Sequence, residues 1–412
     1  MLATINTKIR VTPEQFFMAS SMLVNAGNYA YNLILGRLLG PEVFSGAALL
    51  ITLLLVLSFL AMTLQLVTAK YSVLYNSQEN ASVIKWIYSM AIISGLLLGL
   101  LVIVFSNQLS IFFQVPSRSM FVIFGCSIPL YFIMSVSRGV NQGKQEFIGL
   151  SQSYLLEMLF RLCVTLILLL LVPKAPLVVV SIGILISLFG GIFPNKLTLK
   201  VLKSKAKLSV TEKKNILGFL LITCLYECTQ IVINNSDILL VKHYFDAVIA
   251  GQYAALALIG RVVYFITWML IMLLLPKLIA AKKSGNDTTA IFRKYFKGIL
   301  LLISILVLGC VSFPKLIITI LFGNEYIMMS PLLWKYAIAT ALFALANLFV
   351  YYFLSLSYYI PVVVTMLFGL LQVATLVVFH NTITQVVYVQ IILMSILLLV
   401  QTAFYILKSN KI

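Results

Sequence analysis

Five ionisable residues, Glu157, Arg161, Glu227, Asp237 and Arg261, lie within otherwise apolar stretches of the chain. Charge is costly in hydrocarbon, so such residues face a water-filled cavity or a partner and mark the route of a polar or charged solute. A guanidinium can grip a carboxylate or diphosphate with two parallel hydrogen bonds, whereas a carboxylate suits a cation or a proton. Glu157 and Arg161 are four residues apart, one helical turn, and can pair within a single helix. That pair reads as structural, with a substrate anion as a competitor for the arginine. Arg261 stands about ten residues, or ~15 Å, into its apolar run, near the middle of a bilayer. It can hold an anion there or form a salt bridge to Glu227 or Glu157.

Two polar stripes accompany these charges. Ser21, Asn25, Asn28 and Asn32 follow steps of four, three and four, which places them on one face of a helix. Thr223, Glu227, Gln230, Asn234 and Asp237 do the same over about 21 Å of helix. Such a stripe lines a lumen or bonds helix to helix within a bundle. For the asparagines the two readings stand level. For the second stripe, with its two carboxylates, the lumen is favoured.

The elements that position these residues are membrane spans. With 62% hydrophobic and 10% charged residues and a mean hydropathy of +1.09, most of the chain requires lipid around it. About 20 apolar residues cross a bilayer. Apolar runs fall at 15–35, 46–68, 86–106, 120–138, 150–172, 176–193, 216–241, 251–276, 295–313, 331–356, 359–379 and 385–407. Twelve spans leave no room for a soluble domain, and the first run is long enough to remain as a helix rather than a cleaved signal. Most of the 29 basic residues fall on one side if both termini are cytoplasmic, among them Lys8, Arg10, Lys70, Lys85, Arg138, Lys144 and the lysines from Lys196 to Lys214. This asymmetry accounts for most of the net charge of +18 without a nucleic-acid partner, and the lysine-rich loop reads as a topology anchor at the anionic leaflet.

The chain also repeats itself. Asn32-Leu33-Ile34-Leu35, then Arg37 and Gly46, is echoed by Asp237-Ile238-Leu239-Leu240, then Lys242 and Gly251, and Ile111-Phe112-Phe113 by Ile320-Leu321-Phe322 at nearly the same offset. This predicts an all-α polytopic membrane protein of two six-helix lobes, 1–208 and 209–412. With an even number of helices per lobe, the halves share one orientation and handle substrate between them.

Other chemistries find little support. Gly139-Val140-Asn141-Gln142-Gly143-Lys144-Gln145 is one residue short of a phosphate loop and lacks the serine or threonine after lysine. The five cysteines have no metal-ligand spacing, and the two histidines are far apart in sequence. No sizeable loop carries acidic or histidine residues, so an enzyme is not expected. No cofactor or metal is expected either, beyond a coupling H+ or Na+.

Leu35-Gly36-Arg37-Leu38-Leu39-Gly40-Pro41-Glu42 with Phe44 and Gly46 resembles the first loop of the polysaccharide-transport flippases, within the multidrug, oligosaccharidyl-lipid and polysaccharide exporter (MOP) superfamily. Arg138-Gly139 with Gln142-Gly143 and Phe147 is similar to that family's loop after helix four, and Glu157 with Arg161 to its helix-five pattern. Asp237 to Lys242, Gly251 to Ala254, Pro276, and Leu321-Phe322-Gly323 with Tyr326 follow in order. The resemblance implies two lobes around a central cavity. It also implies alternating access and a substrate of undecaprenyl diphosphate bearing an oligosaccharide repeat unit for O-antigen, capsule or exopolysaccharide. The location it implies is the bacterial plasma membrane, with a polysaccharide polymerase or assembly proteins as possible partners. Its alternative is an ion-coupled exporter of organic cations that works through Glu227 and Asp237. The candidate lumen set is therefore Arg261, Arg161, Glu157, Glu227, Gln230, Asn234, Asp237, Asn25, Asn28 and Asn32.

Overall fold

The computed structural model describes residues 12–74, 77–194, 208–284, 287–356 and 358–409. Lys8, Arg10, Lys411 and the five lysines from Lys196 to Lys207 lie outside the described residues, and with them most of the expected anchor loop. The first helix, α1 (Pro13–Leu74), has 62 residues, more than twice what a bilayer needs. It breaks where Gly40 takes a left-handed φ of 66° ahead of Pro41, a combination open to glycine and followed by a residue with no N–H to donate. One continuous element thus supplies the first two expected spans.

The helices that follow are α2 (Ser77–Val104), the short α3 (Ser106–Phe112), α4 (Arg118–Gly143), α5 (Phe147–Leu171) and α6 (Pro176–Ile192). After the lysine-rich segment come α7 (Val210–Tyr244), α8 (Ala247–Lys283), α9 (Thr288–Ser312), the short α10 (Pro314–Leu321), α11 (Ser330–Ser355), α12 (Ile360–Val378) and α13 (Ile383–Ser409). Among the described residues ten helices are long and apolar enough to cross a membrane, and α6, with 17 residues, is slightly shorter. Among the described residues there is no strand. Helix starts carry local signals: Ser209 and Glu212 form a reciprocal capping box at α7, and Asp287 accepts from the Thr289 amide at α9. One local expectation is corrected. Arg138 and Gly139 are not in a loop, because α4 continues to Gly143.

By internal contact the chain forms two compact units. Unit 1 holds Met1–Asn32 with Leu57–Cys224, and unit 2 holds Leu33–Val56 with Leu225–Ile412. By contact, the middle of α1 therefore belongs to unit 2. In unit 1, Gly95 and Gly99 of α2 lie against Pro129 and Gly125 of α4 with no room for a Cβ, the close approach that small residues permit in lipid. Leu96, Leu97, Leu100 and Leu101 on the same helix stay exposed, as a lipid-facing surface requires.

In unit 2, Phe292, Phe349, Tyr352 and Tyr405 form an aromatic cluster with centroids 4.5–5.5 Å apart. The turn around Gly40 is fixed to the same unit. Arg37 donates to the carbonyls of Thr319, Ile320 and Leu321 at the C-terminal end of α10, groups the helix itself cannot satisfy. The Tyr326 hydroxyl donates to the Gly36 carbonyl at 2.7 Å, and Gly251 lies directly under the Pro41 carbonyl.

Candidate functional site

Among the described residues each unit contains one buried ionic cluster. In unit 1 it joins α4 to α5. Arg138, only 3% exposed, donates from Nε to Ser153 Oγ at 2.8 Å, and from Nη2 to the Ser153 carbonyl at 3.0 Å and Glu157 Oε2 at 2.7 Å. The Tyr154 ring lies 3.8 Å beneath its guanidinium. The second carboxylate oxygen of Glu157 accepts from Arg161 Nη2, one turn further along α5. Arg161 Nη1 reaches Asn28 Oδ1 of α1 at a long 3.4 Å, and its buried Nε has no acceptor. Two guanidinium groups thus share one carboxylate. No other carboxylate pairs with either arginine among the described residues, so the cluster carries a surplus positive charge.

Unit 2 contains the opposite arrangement. Asp237 of α7, 1% exposed, accepts from Arg261 Nη2 of α8 at 2.7 Å through Oδ1. Its Oδ2 accepts the hydroxyls of Tyr253 at 2.9 Å and Tyr336 of α11 at 2.7 Å. Gln390 of α13 donates to the Tyr253 hydroxyl at 2.8 Å. Arg261 also donates to Tyr336 and to Asn235 Oδ1. Charge is balanced here and every polar atom of the ion pair has a partner. A cavity of about 20 Å³, enough for a water molecule, opens beside Arg261, Tyr336, Asn234 and Gln372.

The expected partner of Arg261 is corrected by these contacts: it is Asp237, not Glu227 or Glu157. Glu227 is half-buried and forms no ion pair among the described residues. One turn on, Gln230 Oε1 accepts from Tyr264 and from Asn347 Nδ2, each at 3.4 Å, and Asn347 Oδ1 is buried without a partner. Asn234 donates to the Gln230 carbonyl at 2.9 Å.

Exposure along the two polar stripes is uneven: Ser21 is half-buried, Asn25 exposed, Asn28 half-buried and Asn32 8% exposed; Thr223, Glu227 and Asn234 are half-buried and Gln230 and Asp237 buried. The structure therefore brings Asn28 to Glu157 and Arg161, and Asp237 to Arg261, while Asn25 and Glu227 belong to neither ionic cluster. Arg138, Tyr154, Tyr253, Tyr336 and Gln390 complete the clusters and were missed by the sequence reading. The signal for Arg138 was present, since a cation continues the apolar run 120–138 without a break.

The helical fold has solved counterparts. An inward-facing multidrug resistance MATE family transporter of the MOP superfamily superposes with a TM-score of 0.82 at 12% identity, over 96% of this chain and 98% of that one. The lipid II flippase MurJ in an inward closed conformation gives 0.75 at 15% identity, over 96% and 87%. A MOP superfamily transporter from Pyrococcus furiosus gives 0.56 at 13% identity, over 96% and 93%. These show a fold shared with MOP superfamily transporters, and the apolar helices of the described residues make the chain a multi-pass membrane protein. No curated protein matches the sequence. Residues 34–331 match the model of the polysaccharide biosynthesis protein family, and the chain belongs to that family.

Proposed function

We propose that this protein is a flippase that carries an undecaprenyl-diphosphate-linked oligosaccharide repeat unit across the bacterial plasma membrane by alternating access, with both termini cytoplasmic. The observation that carries the reading is the surplus positive charge buried in unit 1, where Arg138 and Arg161 share Glu157. A spanning region that holds an unneutralised cation suits an anionic carrier such as a lipid diphosphate and repels an organic cation. Family membership supports the sugar, and the fold shared with a lipid II flippase supports the lipid. The amides of Asn25 and Asn28 supply donors and acceptors of the kind that hydroxyl-rich head groups need. A polymerase that uses the flipped repeat unit is the partner this reading implies.

The test is depletion of the protein in its native host, with extraction of lipid-linked sugars. Accumulation of the repeat unit on the inner leaflet with loss of surface glycan is the expected result, and mass spectrometry of the trapped lipid identifies the sugar. The second reading, an ion-coupled exporter of organic cations, rests on the carboxylate of Glu227, which has no ion pair among the described residues. It expects normal glycan and new sensitivity to cationic dyes. A coupling H+ or Na+ belongs to this second reading, with Glu227 as its candidate carboxylate.

A further inference from the structure

We infer that Arg161 of unit 1, with Asn28 beside it, is a subsite for a phosphate or diphosphate group, and that Arg261 of unit 2 is not. The inference rests on the flippase reading for the identity of the natural ligand, while the anion chemistry rests on the side chains alone.

The two buried arginines of unit 1 differ in what remains free on them. Arg138 is fixed in place: its Nε is held by Ser153, its Nη2 by the Ser153 carbonyl and Glu157, and its face by Tyr154. Ser153 is itself anchored, donating from Oγ to the Gly191 carbonyl of α6 at 2.6 Å. The charge of Glu157 is therefore already matched by a fixed arginine, and Arg138 is a positioning residue.

Arg161 keeps its charge and part of its hydrogen-bonding fork. Among the described residues its Nε–H has no acceptor, and its Nη1 has only the long contact to Asn28. A guanidinium needs acceptors for its fixed set of N–H groups, and a buried N–H without one is costly. A phosphate oxygen on Nε, with a second on Nη1 in place of the amide oxygen, satisfies both donors and cancels the surplus charge. Turning the Asn28 amide about its last bond presents Nδ2 as a further donor. The side chain of Arg161 is 11% exposed, and Asn25, one turn before Asn28 on the same face of α1, is exposed.

Arg261 fails the same requirements. Asp237 neutralises it, and its three nitrogens are all engaged. An anion there displaces a carboxylate that two tyrosine hydroxyls hold in place.

The test uses the purified full chain in detergent, with farnesyl diphosphate, farnesol and inorganic pyrophosphate as probes and native mass spectrometry as readout. Farnesyl diphosphate is expected to bind the wild type. Arg161→Gln should weaken it at least tenfold and leave farnesol unchanged, and Arg161→Lys, which keeps the charge without the fork, should fall between. The double variant Asp237→Asn with Arg261→Gln should bind within about twofold of wild type. Pyrophosphate binding that is lost in Arg161→Gln also supports the subsite and shows that the anion alone suffices; competition by farnesol against farnesyl diphosphate places the recognition in the lipid tail and overturns it. Wild-type affinity in Arg161→Gln overturns the assignment, as does a loss that follows Arg261. If Arg161→Gln does not fold, wild-type affinity in Arg161→Lys overturns the fork. The flippase reading fails separately: Arg161-dependent binding with normal glycan after depletion leaves the subsite standing and removes the function.

Discussion

The two buried clusters are built from the same residue types and differ in their charge balance. Unit 2 has one arginine, one carboxylate and two tyrosine hydroxyls, and each polar atom of the pair is satisfied. Unit 1 has two arginines on one carboxylate and leaves an N–H unused. A balanced buried pair fastens helices together, and removing either partner leaves the other charge stranded. An unbalanced cluster is poor architecture unless a ligand completes it. Opposite responses to loss of an arginine are therefore expected in the two units.

The largest effect is expected in unit 2. Arg261→Gln should lower stability by about 3–5 kcal/mol because Asp237 stays buried without its counter-charge, and adding Asp237→Asn should restore much of the loss. Denaturant or thermal unfolding in detergent measures both, and equal stability of the single and double variants would dissolve the distinction. Glu157→Gln should be comparably harmful, since it leaves two arginines facing each other across α4 and α5. Arg161→Gln, by contrast, leaves a neutral Arg138–Glu157 pair and should melt at or above the wild type. Together these two variants break the comparison within a single unit.

Smaller effects sharpen it. Tyr336→Phe removes one hydroxyl from Asp237 Oδ2 and should cost about 1.5–3 kcal/mol, in the range of a hydrogen bond to a charged group. Gly40→Ala forces a side chain into a left-handed backbone and should cost about 1–2 kcal/mol without touching either cluster. Protein yield and melting temperature check both. A Gly40 variant as damaging as Arg261→Gln would show that the turn at Arg37–Phe44, rather than the ion pair, holds unit 2 together.

Much of the fold was legible because membrane spans are written in runs of apolar residues about 20 long. Gly40-Pro41 also announced the break inside α1. The Glu157–Arg161 pair could be read from spacing because both residues lie on one helix. Contacts between helices were not legible. Asp237 meets Arg261 through the packing of α7 on α8, and Tyr336 arrives from α11, nearly a hundred residues away; no local pattern encodes those distances. Arg138 was misplaced for a different reason: a cation at the end of an apolar run reads as a cytoplasmic anchor, and only its burial against Ser153, Tyr154 and Glu157 shows that α4 runs on. The shared segment 33–56 was hidden too, since periodicity shows where a helix bends and not which unit its middle packs against.

The central claim is that the protein moves an anionic lipid-linked sugar. Its most direct test is transport by the purified chain in liposomes loaded with undecaprenyl-diphosphate-linked oligosaccharide, reading how much sugar becomes accessible to a membrane-impermeant lectin or oxidant. Wild-type protein should expose the inner-leaflet pool well above protein-free liposomes, and Arg161→Gln protein at the same density should lose most of that activity. Equal accessibility with and without the wild-type protein would contradict the account.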